Sequence, residues 1–453
     1  FVEDTAVPPE NLADFIIEFR AVLDAHNLPY GMFGHVDAGV LHVRPAIDMK
    51  DELQQPLIRE ITDQVVKLTQ KYKGLLWGEH GKGVRSEYAP EFFGELYPQL
   101  QRIKAVFDPR NQLNPGKIAT PAGAEGEATE QLLKIDEVPT RGQFDRQISA
   151  HVREEYDSAM FCNGNGACFN YDPKDAMCPS WKGTRQRIHS PKGRSSLIRE
   201  WLRLISREGS DLISESNSVK QQPFFASLPG RIKNTLAKRR GDYDFSNEVH
   251  ESMMGCLACK SCVGQCPIKV NVPDFRARFL EVYYGRYLRP LKDYMVGGLE
   301  VMMPWVSKFP APYNWAMSNQ TVSALLARYV GMVDSPQVCR HSLIQGLNHR
   351  GIELATPEWV DQLSAEQRDR SVIIVQDAFT SYFETQLVLD LTDLLTELGF
   401  HVLVAPFLPN GKPLHVHGFI KAFEKTAIRN SDMLRQLGHC GVPMIGVDPS
   451  MTL

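Results

Sequence analysis

Residues 256–267 read CLACKSCVGQCP, a C-x2-C-x2-C-x3-C-P run, and no other phrase in the chain restricts its folding so severely. Three thiols spaced by two residues on one short loop reach three irons of a single inorganic cluster. The proline after the fourth Cys turns the chain away, so that this Cys usually serves a different cluster. The loop must therefore be completed by a thiol from a distant stretch. A zinc site more often shows paired C-x2-C knuckles or histidines. Of the nine cysteines, seven fall into two groups, 162–178 and 256–266. In a chain of this size without a secretion signal, clustered thiols point to metal or redox work rather than to disulfides. Cys339 and Cys440 stand alone and are expected as small buried hydrophobes.

The earlier group reads Cys162-Asn-Gly-Asn-Gly-Ala-Cys168, then nine residues, then Cys178-Pro179. Cys162 and Cys168 have the spacing of Cys256 and Cys262, with Asn165 at the position that matches Cys259. This is a ferredoxin-like run with one ligand replaced and an insert. Cross-ligation pairs Cys178 with Cys256, Cys259 and Cys262, a full four-thiolate site for a [4Fe-4S] cluster. Cys162, Cys168 and Cys266 remain, with no fourth thiol. That second set would hold a three-iron cluster, a four-iron cluster with a non-Cys ligand, or nothing.

A second constellation lies near the N-terminus. The phrases are Gly34-His35-Val-Asp-Ala-Gly-Val-Leu-His42 and Trp77-Gly78-Glu79-His80-Gly81. On a hairpin, His35 and His42 flank a turn and can point at one spot. Two imidazoles and a carboxylate with open positions suit a divalent metal such as Zn or Mn. His80, beside that carboxylate, suits a general base. On spacing alone the plainer reading, unrelated surface histidines, competes well.

The 453 residues suggest two to four domains, with a net charge of -4 that gives no basic field for nucleic acid. No apolar run is long enough to cross a bilayer. Lacking an initiator Met and stopping after Met451-Thr452-Leu453, the chain reads as a piece of a longer polypeptide. The fold class expected is α+β. Residues 1–120 show helices at 12–27 and 56–72 around a hairpin at 30–43. Residues 121–154 are linker-like. Residues 155–335 carry the cysteines on a mostly helical domain, with a helical insert at 193–250. Residues 365–453 restart as α/β, with SVIIVQDAF and FHVLVAPF as strands and a helix ending at Gly399 between them. The phrase Asn410-Gly-Lys-Pro-Leu-His-Val-His417 suggests a metal site, against the plainer reading of a polar turn and a half-exposed strand. The Tyr/Met/Trp-rich stretch at 280–335, including Met302–Val306, offers a peripheral membrane contact, against the plainer reading of core helices.

GHVDAGVLH, WGEHGKG and FDPRNQLNPGK together resemble the C-terminal cap domain of FAD-linked oxidases of the vanillyl-alcohol oxidase type, and within them the D-2-hydroxyacid dehydrogenases. VEDTAVPPENL resembles the opening strand and helix of that cap. The cysteine region and SPKGR (Ser190 to Arg194) resemble the iron–sulfur subunit of glycolate oxidase, and the C-terminal α/β segment resembles the start of its cysteine-rich domain. The nearest likeness is to large bacterial members that fuse flavin and iron–sulfur parts and act on D-2-hydroxyglutarate. The resemblance implies FAD, a [4Fe-4S] cluster and a divalent metal as cofactors. It implies His35, His42 and Glu79 as metal ligands, His80 as the catalytic base, and Asn114 and Lys117 at the flavin. Arg44 is a candidate for an acidic group of the substrate. Where many relatives have Asn before Leu-His, this chain has Val40. The expected reaction is oxidation of a D-2-hydroxyacid, D-2-hydroxyglutarate first and D-lactate or glycolate next. Electrons would leave through the cluster to a quinone or a redox protein. The family's FAD-binding half precedes the cap, so its partner is an N-terminal half not contained in these residues. A cytoplasmic homo-oligomer, at most peripheral to the inner membrane, is expected. Two rival readings are a non-catalytic electron-transfer module beside a separate flavin subunit, and a zinc-structured interaction protein.

Overall fold

The computed structural model describes residues 1–81, 84–124, 131–439 and 441–447. Contacts divide the chain into two compact units, Phe1–Ala150 and His151–Leu453. Cys440 lies outside the described residues, as do residues 125–130 of the expected linker.

The first unit is a three-stranded antiparallel sheet backed by two helices. Its strands β1 (Thr5–Ala6), β2 (Tyr30–His35) and β3 (Val40–Pro45) lie in the order β1-β3-β2. Helices α1 (Leu12–Ala25) and α2 (Leu57–Lys71) are amphipathic. They bury Phe15, Phe19 and Leu23, and Ile61, Val65 and Leu68, against Leu41 and Val43 of β3. Because side chains alternate along a strand, Leu41 and Val43 take the helix-facing side, and His42 and Arg44 are sent to the other. Register pairs Phe33 with His42 and His35 with Val40. Directly opposed residues share a face, so Phe33, His35, Val40, His42 and Arg44 all line the side away from the helices. Gly39 makes the turn possible. It has φ +65, and a Cβ there would lie 1.8 Å from the Val7 carbonyl oxygen.

The second unit is mostly helical around the cysteines. Helix α3 (Pro191–Arg207) starts at Ser190, whose hydroxyl accepts from Gly193 N–H. Helices α4 (Phe245–Met254), α5 (Ser261–Gln265) and α6 (Val272–Arg286) follow, and α6 is buried on nearly every side. The segment expected as an insert at 193–250 contains α3, whose Arg194 reaches the cysteines, so this helix is part of the centre. A parallel sheet closes the unit. Strands β4 (Ser371–Val375), β5 (His401–Val404) and β6 (Met444–Gly446) lie in the order β5-β4-β6. Val372 and Ile374 face one apolar layer with Val388 and Leu389 of α7 (Thr385–Glu397), and Ile373 faces another with Leu437. Burial on both faces is what a short β-branched run predicts.

Two expectations are corrected. Residues 412–416 form a short helix, α8 (Lys412–Val416), not a strand. Gly411 takes a left-handed conformation just before it and Pro413 sits in its first turn, a helix start that outweighs the His-x-His alternation. The helices of 291–330 are not simply core: Trp305, Phe309, Trp315 and Tyr329 are exposed, and Met303 is the one buried in the 299–306 helix with Glu300. Among the described residues no helix is long and apolar enough to cross a membrane.

Candidate functional site

The sequence's two histidine phrases converge in the first unit. Residues 75–78 run beside β1, with Ala6 and Leu75 exchanging backbone hydrogen bonds and Gly78 N–H donating to the Asp4 carbonyl. This alignment delivers Glu79 and His80 to the sheet face that carries His35 and His42. Three imidazole Nε2 atoms then surround one carboxylate oxygen, Glu79 Oε1: His42 at 2.9 Å, His35 at 3.3 Å and His80 at 3.3 Å. The His80 ring stacks on His42 with centroids 4.9 Å apart. His42 is buried, while His35, Glu79 and His80 are open on one side. A buried anchor with an accessible side is the pattern of a metal site that keeps positions for a ligand.

Asp4 holds this corner and was not singled out in the sequence. It is fully buried with φ +74, a conformation that disfavours non-glycine residues. Its carboxylate accepts from the backbone N–H groups of Glu79 and His80, both at 2.9 Å. Ligating atoms of Asp4, His42, Glu79 and His80 all lie within 4.8 Å of one another. Asp4 is committed to two backbone donors, so it positions the others. Nearby Arg85 is buried, donates to the Glu3 carbonyl at 2.6 Å, and its pKa is lowered to about 10 by burial, against the pull of Asp4 and Glu3. His42 Nδ1 is buried without a hydrogen bond, 3.9 Å from Glu3 Oε1. A ligating imidazole normally has a carboxylate behind its second nitrogen. The sequence offers little for Asp4 beyond an acidic pair, Glu3-Asp4, set between Val2 and the short strand β1.

The other candidates of this unit lie apart. Arg44 shares the His42 face but pairs with Glu3 Oε1 at 2.9 Å and covers the Phe33 ring. Asn114 and Lys117 are exposed in the loop after the helix Tyr97–Phe107, bonded to each other through their backbones. No side-chain hydrogen bond joins them to the histidines.

In the second unit, Cys178, Cys256, Cys259 and Cys262 line one cavity together with Arg194, Lys260 and Val272. The loops that carry them hold three non-glycine residues in the left-handed region, Cys178, Ala258 and Lys260. Strain of this kind gathers at functional sites. Backbone donors point at the sulfurs: Ala258 N–H at Cys256 (3.4 Å), and those of Trp181 and Val272 at Cys178 and Cys262. Burial pushes the Cys262 thiol up to about 12 and raises Cys178. Two buried guanidiniums flank the cavity. Arg194 lies 3.9 Å from Cys178 Sγ and is held by the Ser252 carbonyl (3.0 Å) and Ser180 Oγ (2.9 Å). Arg276 feels the Cys256 charge and donates to the carbonyls of Met253 and Val416. Among the described residues neither pairs directly with a carboxylate, and the acid felt by Arg276 is the buried Asp293.

Cys162 and Cys168 are both buried and near enough that their charges interact. Cys266 is half-buried as the C-terminal cap of α5. Asn165, at the position of the missing ligand, is taken up by its own loop, accepting from Ala167 N–H at 2.9 Å. Cys339 is half-buried and its thiol donates to the Phe383 carbonyl.

Residues 1–118 match the family of FAD linked oxidases, C-terminal domain. The whole chain is 57% identical over 453 residues to D-2-hydroxyglutarate dehydrogenase of Pseudomonas putida, covering 100% of this chain and 44% of that protein. To D-2-hydroxyglutarate dehydrogenase of Escherichia coli it is 51% identical over 456 residues, again 100% of this chain and 44% of the relative. A D-lactate dehydrogenase of Archaeoglobus fulgidus is 30% identical over 118 residues, 26% of each chain. The chain thus spans under half the length of the full-length relatives it matches. No solved structure matches it.

Proposed function

We propose that these residues form part of an FAD-dependent enzyme that oxidises the CH–OH group of a D-2-hydroxyacid, with D-2-hydroxyglutarate the expected substrate, and sends the electrons out through a [4Fe-4S] cluster. The observation that carries the reading is the convergence of three imidazoles on Glu79, on a half-open sheet face within a segment that matches FAD linked oxidases. When bound, FAD supplies a hydride acceptor, the divalent metal a Lewis acid, and the cluster a one-electron carrier.

The chain's own residues do the rest. His42 and Glu79, with His35 beside them, would hold the metal, and the substrate's α-hydroxyl and carboxylate oxygens would occupy its open side. His80 Nε2 takes the hydroxyl proton. Asp4 keeps His80 and Glu79 in register through their backbones, so the base cannot drift from the metal ligand. Asn114 and Lys117 would meet the flavin supplied by the remaining part of the enzyme.

Support for a cluster rather than bare thiols comes from charge. Two buried guanidiniums beside the thiols, neither paired directly with a carboxylate among the described residues, favour an anion there, and four thiolates around iron would provide it. A lone zinc ion fits less well. Zn–S bonds of about 2.3 Å hold sulfurs about 3.8 Å apart. Among the described residues the cavity's thiols do not draw together within 4.8 Å as the Asp4 group does. The test is a substrate panel on the full-length enzyme: D-2-hydroxyglutarate, D-lactate, glycolate and D-malate. The reading expects kcat/KM highest for D-2-hydroxyglutarate. A flat or D-lactate-led profile would overturn that substrate.

A further inference from the structure

A second cavity lies beside the thiol centre and is not used by any step above. It is about 350 Å³ in volume, the lower end of the range for small-molecule sites. It opens just outside the carboxyl end of β4, where Val375, Gln376 and Asp377 leave the sheet. β4 is the central strand, with β5 on one side and β6 on the other. Connections that depart to opposite sides of a parallel strand leave a crevice there, and in open α/β sheets ligands bind in that crevice. Its far wall is helix α9 (Ile420–Gly438), through Phe423, Ala427 and Asn430.

Three features define what would fit. The first is position: Lys260 lines both this crevice and the cavity of Cys178, Cys256, Cys259 and Cys262. Helix α8 ties the two further, since Arg276, beside Cys256, donates to the Val416 carbonyl. The second is charge: Lys260, Lys412 and His415 are on the wall, against one lining acid, Asp377, whose carboxylate is turned to the N-terminus of the helix Ala378–Tyr382. Burial and the charges of Lys260, Lys412, Arg276 and Arg278 lower the His415 pKa to about 4, so the imidazole is a neutral hydrogen-bonding group among cations. The third is an apolar and aromatic part, Val375, Phe423 and Leu434, with the His415 ring 4.9 Å from Phe423.

We propose that this crevice binds the small molecule that takes electrons from the cluster, and that this acceptor is a planar quinone-type compound bearing an anionic group. The proposal rests on the cluster reading above. Oxidation of one hydroxyacid to the 2-oxoacid releases two electrons and two protons. The acceptor takes both electrons in two single steps through the Lys260 side of the crevice, binds two protons, and leaves as the hydroquinone. The cations hold its anionic group, and Phe423 packs on its ring.

The test uses the full-length, iron-loaded enzyme and two probes of one shape: anthraquinone-2-sulfonate and uncharged 2-(hydroxymethyl)anthraquinone. Calorimetric Kd is measured for both, in the wild type and in two variants, Lys412→Glu and Ala427→Glu. The sulfonate is expected to bind at least tenfold tighter than the neutral probe. Each variant is expected to weaken the sulfonate about tenfold and the neutral probe less than threefold, and to raise the KM for the anionic dye dichlorophenolindophenol in step. Neutral-probe binding reports that a variant has folded. Equal binding of the two probes, or sulfonate binding untouched by both charge insertions, overturns the crevice. Fewer than about three irons per chain overturns the cluster reading instead, whatever the probes do.

Discussion

At the scale of single residues, the first unit works by division of labour around one carboxylate oxygen. His80→Ala is expected to lower turnover by two or more orders of magnitude, the usual worth of a positioned general base, while metal content measured by atomic emission stays near wild type. Near-normal turnover removes His80 from that role. Asp4→Asn is expected to behave differently. The amide keeps the shape, but its single oxygen can accept from only one of the Glu79 and His80 N–H groups, and its NH2 then faces the other donor. Metal affinity should fall about 10- to 100-fold, as for residues that orient ligands, and competition with a chelator will read it. Affinity unchanged within threefold would make Asp4 merely structural. The histidines were legible because two-residue alternation and one turn suffice to put 35 and 42 on one face. Asp4 was not, since its role arises from a left-handed backbone and from donors 75 positions away. Arg276 was hidden likewise, one of several charged residues of α6, with nothing in the sequence to mark it as the one that reaches the thiols.

Among elements, the hairpin β2–β3 is the device that brings His35 and His42 to one corner. Gly39→Ala is expected to cost about 2 kcal/mol or more, since it adds both left-handed strain and a clash with backbone. The measurement is urea unfolding of the first unit's transition, and a loss under about 0.5 kcal/mol would show that the turn relaxes freely. Amphipathic helices α1 and α2 and strands β4 and β5 were readable from periodicity and from uniform apolar runs. Helix α8 was not. Five residues are too few for a period, and its start depends on buried Glu300, which accepts from the Asn410 and Gly411 N–H groups. That carboxylate lies 110 positions away. The aromatic stretch was misjudged for a related reason: composition announces apolar residues, but only packing decides which of them find neighbours.

On the scale of the molecule, the second unit responds to acid through buried imidazoles. His250 stacks on Tyr283 at 4.2 Å and, like His415, has its pKa lowered to about 4, chiefly by burial. An unfolded chain takes up protons at its histidines near pH 6.5, and the folded one does not until about pH 4. Their contribution is therefore complete above pH 6.5 and is lost as pH falls toward 4, on the order of 2 kcal/mol apiece. The denaturation midpoint should drop between pH 7 and 5, and His250→Gln should shrink that drop; an equal drop in the variant would rule His250 out. Four irons and four sulfides per chain are expected on anaerobic assay, with more only if Cys162, Cys168 and Cys266 hold a cluster. Arg194 has a further consequence under the proposed cluster reading. A buried guanidinium that, among the described residues, pairs with no carboxylate would leave the newly made chain electrically incomplete until iron arrives. Cells short of iron should accumulate a loosened form of this half, cleaved by trypsin where the loaded protein resists, so nutrient supply would govern how long each copy survives.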